Sequence, residues 1–173
     1  MKSICVLVGI LCISTTALAQ TRSRSTTKRN PPSTTSTVPL AITQARTSGA
    51  TRVADRIKDL TRFVYLLGGV AKGIEQVDEA ARKNEASPTA LQQNEQNKGS
   101  VKTSLRNVRE GLDALEISFR STPGLEGYYL KLAGSASGAA DAEAQAGAGQ
   151  FDRAGRTLLG VVNRLTDVLL AMR

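Results

Sequence analysis

Residues 53–74, VADRIKDLTRFVYLLGGVAKGI, decide the fold. Apolar side chains recur in this stretch at alternating spacings of four and three residues, at Val53, Ile57, Leu60, Val64, Leu67, Ala71 and Ile74. This spacing aligns the apolar residues on one face of an α-helix, as in the seam of a helical bundle. The pattern predicts an amphipathic helix from Val53 to about Lys83, with the apolar run 63–71 in the core.

Two later stretches repeat the pattern. A Ser-Pro pair at 87–88 supplies an N-cap and a proline at the first helical position, which favours a helix start. The helix that follows has its apolar seam at Val101, Leu105, Val108, Leu112, Leu115 and Phe119. A further helix begins near Phe151, and its seam consists of Leu158, Val162, Leu165, Leu169 and Met172.

Between these two helices the sequence predicts a third one, which opens at Thr122-Pro123. Beyond Leu132 this segment is rich in Ala, Gly and Ser. Ala has the highest helix propensity, which favours a helix up to about Gly147; a three-helix fold without this segment is the alternative. Because the connections are short, successive helices should be antiparallel neighbours. The predicted fold is all-α: an up-down-up-down antiparallel four-helix bundle over residues 51–173.

The two helical hairpins of this bundle are predicted to differ in length. Counting residues along antiparallel helices places the turn at 147–149 at the level of Lys98. The first hairpin should therefore extend beyond the second by about ten residues, or roughly 15 Å at the helical rise. The projecting segment is Val77 to Gln96, which is polar, as a solvated extension must be.

The first 19 residues have the composition of a signal peptide. A short apolar run from Ile4 to Ile13 precedes Ala-Leu-Ala at 17–19, which is typical of a cleavage site. The run is about half of the roughly 20 residues that span a bilayer, so we expect no transmembrane segment after cleavage. Both cysteines, Cys5 and Cys12, lie in this segment. The expected location is periplasmic or secreted.

Residues 20–50 are rich in Ser, Thr and Pro and contain no acidic residue, which predicts a disordered basic arm. Much of the formal net charge of +8 belongs to this arm. Its basic residues Arg22, Arg24, Lys28 and Arg29 are candidates for an electrostatic tether to an anionic envelope component. A plain solvated linker is the alternative. Nucleic acid is not an expected partner, because the arm has no aromatic residue on which bases stack.

The composition excludes several kinds of functional site. The sequence has no His, the side chain that titrates nearest neutral pH and that most often ligates metals. Haem, di-iron and zinc sites rely on His or on Cys, so we expect no cofactor, no metal and no enzymatic activity. Carboxylates cluster at Glu75, Asp78 and Glu79 and at Asp141 and Glu143; both groups are interpreted as solvated surface.

Several glycines fall in the half of the predicted bundle nearest the hairpin turns, at Gly68, Gly69, Gly73, Gly99, Gly134, Gly138 and Gly155. An interior glycine costs a helix about 1 kcal/mol relative to Ala, so the cluster should have a compensating role. One interpretation is close approach of the helix backbones. The other is a crevice at Gly69, Gly73 and Gly138 that admits a small apolar ligand.

These observations favour an exported bacterial helical-bundle protein without enzymatic activity. We expect it to act as an envelope-associated interaction or scaffold module. Its partner would be another protein or an anionic envelope component, with self-association also open. The alternative is a carrier of a small apolar ligand in a crevice lined by Gly and Ala.

Overall fold

The computed structural model describes residues 37–173, and their side chains from residue 40 onward. Within these bounds the chain forms helices and no strand. The helices are α1 (Thr37–Arg82), α2 (Pro88–Ser121), α3 (Glu126–Leu132), α4 (Ser135–Gly147) and α5 (Phe151–Ala171). The predicted signal peptide at 1–19 and residues 20–36 of the predicted arm lie outside the described residues.

The helices pack as a four-membered ring. α1 contacts α2 and α5, and α4 contacts the same two helices from the other side. The short α3 also packs on α2 and α5, so α3 and α4 together form the third member of the ring. Short connections make consecutive members antiparallel. The predicted all-α four-helix bundle is confirmed.

The predicted seams supply most of the core. Side chains from each long helix are fully buried, among them Leu60, Ile74, Leu105, Leu112, Phe119, Leu158 and Leu165. The start of α2 is also as predicted, because Pro88 is its first residue and the Ser87 hydroxyl accepts a hydrogen bond of 3.2 Å from the Ala90 N–H. Such a cap satisfies one of the free N–H groups of the first turn.

α1 begins earlier than the sequence predicted. Its first residue is Thr37 and not Val53, so residues 37–50, which we expected in the disordered arm, are helical. These extra turns cover one end of the core. A Cβ at the buried Gly49 would lie only 3.0 Å from Met172 Cε and 3.1 Å from Leu125 Cδ1, which shows how closely the α1 backbone packs there. The bundle therefore includes the last part of the predicted arm.

The predicted third helix is divided in two. Thr122 caps the C-terminus of α2, with its N–H donating to the Ser118 carbonyl, and α3 begins only at Glu126. Gly134 separates α3 from α4 and adopts a φ of 88°, the left-handed conformation that interrupts a right-handed helix. Arg164 Nη1 donates to the Ala133 carbonyl at 3.0 Å and thereby satisfies a backbone acceptor beside the break.

The first hairpin extends beyond the second, as predicted. Lys98 and Asp78 line one cavity together with Gly147 and Gly149, so the α4–α5 turn lies at the level of Lys98. At this level Lys98 Nζ lies 2.8 Å from Asp78 Oδ1. The buried Asn94 donates its side-chain N–H to the same oxygen at 2.7 Å. These contacts hold α1 to α2 near the point where the first hairpin emerges.

Candidate interaction surface

The α1 outer face, defined here as the exposed side of residues 55–83, carries apolar side chains in its middle. The exposed fractions are 82% for Tyr65 and 53% for Leu66. Three glycines of the same helix, Gly68, Gly69 and Gly73, are exposed, and a Cβ added at any of them would meet nothing within 4 Å. The middle of this face therefore combines a protruding aromatic ring with a shallow depression where side chains are absent.

This arrangement corrects the interpretation of residues 63–71 as core. Leu67 and Ala71 are buried, but Tyr65 and Leu66 lie on the solvent side of α1. The run contains more apolar residues than one seam can hold, since neighbours differ by about 100° around a helix. Apolar residues outside the seam, such as Tyr65 and Leu66, were the signal in the sequence that could have identified this surface.

A groove of about 230 Å³ lies beside this face, between α1 and α2. Its lining residues are Phe63, Leu66, Leu67, Val70, Asn97, Ser100, Val101 and Ser104. The side formed by α1 is apolar, and the side formed by α2 has small, uncharged polar groups. The described surface thus offers an uncharged region next to the α1 outer face.

The three glycines of the predicted ligand crevice do not come together. Gly69 and Gly73 lie on the solvent side of α1, whereas Gly138 packs inside the bundle, where its added Cβ would lie 2.8 Å from Val161 Cγ2. Gly138 therefore allows close approach of α4 to α5. In the described residues these three positions do not line a common crevice.

The acidic groups divide between the surface and the helix interfaces. Glu75, Glu79 and Asp141 are exposed, as predicted. Glu143 is not a solvated residue: its side chain is 16% exposed and lies 3.4 Å from Arg106 Nε and 3.0 Å from Arg109 Nε. This carboxylate joins α4 to α2.

Asp78 likewise differs from the predicted solvated carboxylate, because it joins α1 to α2. Its Oδ1 accepts hydrogen bonds from Asn94 and Lys98, and Lys98 Nζ also lies 3.0 Å from Glu95 Oε1. The hydrogen bond to Asp78, and after it the one to Glu95, raises the pKa of Lys98 above its usual value of 10.5. Lys98 therefore stays protonated at neutral pH and acts as a structural cation here.

The cavity at this level has a volume of about 370 Å³. Its charged lining residues are Asp78, Glu95, Lys98 and Lys102, two acids and two bases. Such a balanced, solvated lining does not suit a small apolar ligand. Among residues 37–173 no group of three or more His, Cys, Asp or Glu side chains is placed to hold a metal ion.

The predicted tether residues Arg22, Arg24, Lys28 and Arg29 lie outside the described residues, and the structure does not test them. Across residues 37–173 no helix is both long and apolar enough to cross a membrane.

The fold and the surface define a class of protein: a four-helix bundle with an exposed, partly apolar helix face. Comparison of the chain with protein-family models, with curated proteins and with solved structures gives no match.

Proposed function

We propose that this protein is an exported bacterial helical bundle that acts by binding other molecules at its surface, as an interaction or scaffold module of the cell envelope. The observation that carries the proposal is the α1 outer face. Tyr65 exposes 82% of its surface there, and the next residue, the exposed Leu66, lines an uncharged groove. Exposed aromatic residues next to apolar grooves are typical of protein contact sites.

The chemistry of the chain supports a role without catalysis. His is absent from the sequence, and both cysteines belong to the predicted signal peptide. The most common general acid and base near neutral pH, His, and the Cys thiol nucleophile are therefore missing from the chain after the predicted cleavage. The buried Asn94 and the partly buried Glu143 contact side chains of their own bundle.

Export and tethering rest on the sequence of the first 36 residues. The apolar run and the Ala-Leu-Ala segment support cleavage after Ala19. The segment from residue 20 to residue 36 has Arg22, Arg24, Lys28 and Arg29 and no acidic residue. It would attract anionic polymers or lipid headgroups over about a Debye length.

The surface function can be tested by photo-cross-linking in intact cells. A photoreactive amino acid at position 65 is expected to give covalent adducts with another polypeptide. The matched control is the same amino acid at Asp167, which is exposed on α5. Adducts from position 65 alone support the proposal. Equal labelling, or none at either position, contradicts it.

The tether requires its own test. Because α1 begins at Thr37, the arm can be altered only up to residue 36 without cutting into the bundle. We expect a variant with all four basic arm residues changed to Gln to leave the envelope fraction at lower salt than wild type. A variant with Arg22, Arg24 and Arg29 changed to Lys keeps the charge and is the control. Retention of the Gln variant at every salt concentration would refute an electrostatic tether.

The ligand-carrier alternative has no comparable support. Its three glycines lie in different parts of the bundle, and the lining of the cavity at the level of Lys98 includes two acidic and two basic side chains.

A further inference from the structure

Six of the ten exposed charged residues of the α1 outer face form three pairs with opposite signs at equal distances on either side of Gly68 and Gly69. Lys58 and Glu79 are equally far from the midpoint of these glycines, and so are Arg62 and Glu75. The same relation holds for Asp55 and Arg82. All six residues are exposed. In a second copy turned end over end, each of these six charges would lie at the level of an opposite charge.

We propose that the α1 outer face binds the same face of a second copy of this chain, with the two α1 helices antiparallel and the two-fold axis level with the Gly68–Gly69 peptide. In this arrangement the basic side chains Lys58 and Arg62 of one copy lie at the level of Glu79 and Glu75 of the other. Each contact occurs twice, because the interface is two-fold symmetric. The inference goes beyond the proposed function, since it names the partner.

The free surface of the middle turns fits this contact. An antiparallel partner places its Tyr65 at the level of Lys72, over the space between Gly69, Lys72 and Gly73. Gly69 and Gly73 have no side chains, and no other atom lies within 4 Å of the Cβ positions there. The Tyr65 ring of the partner can therefore enter this space, as a knob enters a hole in knobs-into-holes packing. The ring also comes close to the Lys72 ammonium group, which favours a cation–π contact.

The charges concerned are largely free to make these contacts. Among the described residues, Arg62, Lys72 and Glu75 form no ion pair within the chain, and Lys58 and Glu79 pair only with exposed neighbours on α1. Pairing across the interface therefore breaks no contact between helices of the bundle. The contact covers only the middle turns of one helix, and so a dissociation constant in the range of about 1–100 µM is expected.

Charge reversal provides the decisive test. Variant K58E/R62E makes this part of the face acidic, and variant E75K/E79K makes it basic. In sedimentation experiments on the protein without residues 1–19, we expect wild type to dimerise and each variant to dimerise at least tenfold more weakly. An equimolar mixture of the two variants should form a heterodimer of near wild-type affinity, and the fourfold variant K58E/R62E/E75K/E79K should regain the homodimer. A mixture that remains monomeric overturns the proposal.

A second variant separates dimerisation from folding. Gly73→Leu fills the hole for Tyr65, its Cβ meets no atom within 4 Å in the monomer, and it replaces an exposed helical glycine by a better helix former. We expect a higher Tm together with loss of the dimer. Gly160→Leu, at an open position on α5, should raise the Tm and leave the dimer intact. Wild type that is monomeric up to about 0.1 mM, or a dimer that survives Gly73→Leu, overturns the proposed interface.

The cross-linking test of the proposed function distinguishes the two ideas. An adduct from position 65 with twice the mass of the chain supports the dimer. A monomeric purified protein that gives only adducts of other masses overturns the dimer and leaves the proposed surface function supported.

Discussion

Gly134 sets the direction of the chain between α3 and α4. Its φ of 88° is open to Gly and costly for a residue with a Cβ, and an added Cβ would lie 2.6 Å from Arg164 Nη1. We expect Gly134→Ala to lower the free energy of unfolding by about 1–2 kcal/mol, because the backbone becomes strained and Arg164 must move. Urea unfolding measures the change.

The control for Gly134 is another glycine in an open position. Gly160→Ala, on the exposed side of α5, should increase the free energy of unfolding by up to about 1 kcal/mol, since Ala is the better helix former. If Gly134→Ala were as stable as wild type, the left-handed break would not be a requirement of the fold.

Lys98 makes the stability of the fold depend on pH in the alkaline range. Hydrogen bonds to Asp78 and Glu95 raise its pKa in the folded state above the usual 10.5. The stability that Lys98 contributes is therefore fully present below the pKa of Lys98 in the unfolded chain. This contribution is lost as the pH rises through the pKa of Lys98 in the folded state. We expect Lys98→Gln to unfold at a lower temperature than wild type at pH 7, and this difference to shrink as the pH rises through the raised folded-state pKa of Lys98.

Thermal unfolding followed by circular dichroism from neutral to alkaline pH tests this prediction. Lys102 lines the same cavity without an ion pair to any described residue, so Lys102→Gln is the control and should change the Tm little. A Lys98→Gln deficit that is constant across the pH range would show that the loss comes from packing and not from charge.

Single residues also show where sequence reasoning ends. The apolar spacing predicted Leu60, Leu105 and Leu165 in the core, and all three are buried. It did not predict the inward position of Glu143, because the ion pairs with Arg106 and Arg109 depend on how α2 and α4 are rotated against each other. Periodicity fixes which face of a helix is buried; it does not specify the polar contacts at the margin of that face.

Among the elements, the first hairpin combines a firm base with a loosely held tip. From residue 79 to residue 93 no side chain is fully buried, whereas Ile74 and Val101 lie in the core. Helical hydrogen bonds in such a segment open by local fraying, without unfolding of the bundle. We expect the amides of residues 79–92 to exchange with deuterium at least tenfold faster than those of residues 101–119.

Hydrogen exchange followed by mass spectrometry checks this, with residues 60–74 of α1 as the internal control on the same helix. Equal protection along the whole of α1 would mean that something covers the tip. In that case the stable part of the bundle would extend beyond Asp78 and Asn94 to the tip of the first hairpin.

The helix boundaries that the sequence missed share a physical cause. Residues 37–52 contain few large apolar side chains, and the contact there depends on small residues such as Gly49, which give little periodic signal. Ala-rich composition favoured one continuous third helix, but propensity does not reveal a left-handed glycine. Close packing of small residues and single-residue backbone breaks are properties of the assembled bundle.

At the scale of the whole molecule, three apolar seams, one Ala-rich segment and short connections were enough to predict the bundle and its unequal hairpins. The N-terminal boundary of the bundle was not predictable in the same way, because its Ser/Thr-rich segment has the composition of a disordered arm. Its helical turns become apparent only when the end of the core on which they pack is known. Tyr65 and the glycines beside it were visible in the sequence. Only the structure shows that they share an exposed face.

The final prediction concerns where the folded unit begins. A chain that starts at Thr51 lacks the turns of α1 that cover Leu125 and Met172, which are only 1% and 3% exposed in the bundle. Exposure of parts of these two side chains should lower the free energy of unfolding by about 1–3 kcal/mol relative to a chain that starts at Thr37. Urea unfolding of the two chains measures the difference, and neither chain contains the basic residues at 22–29. Equal stability would place the start of the folded unit after residue 50, as the composition alone suggested, and would make the first turns of α1 dispensable.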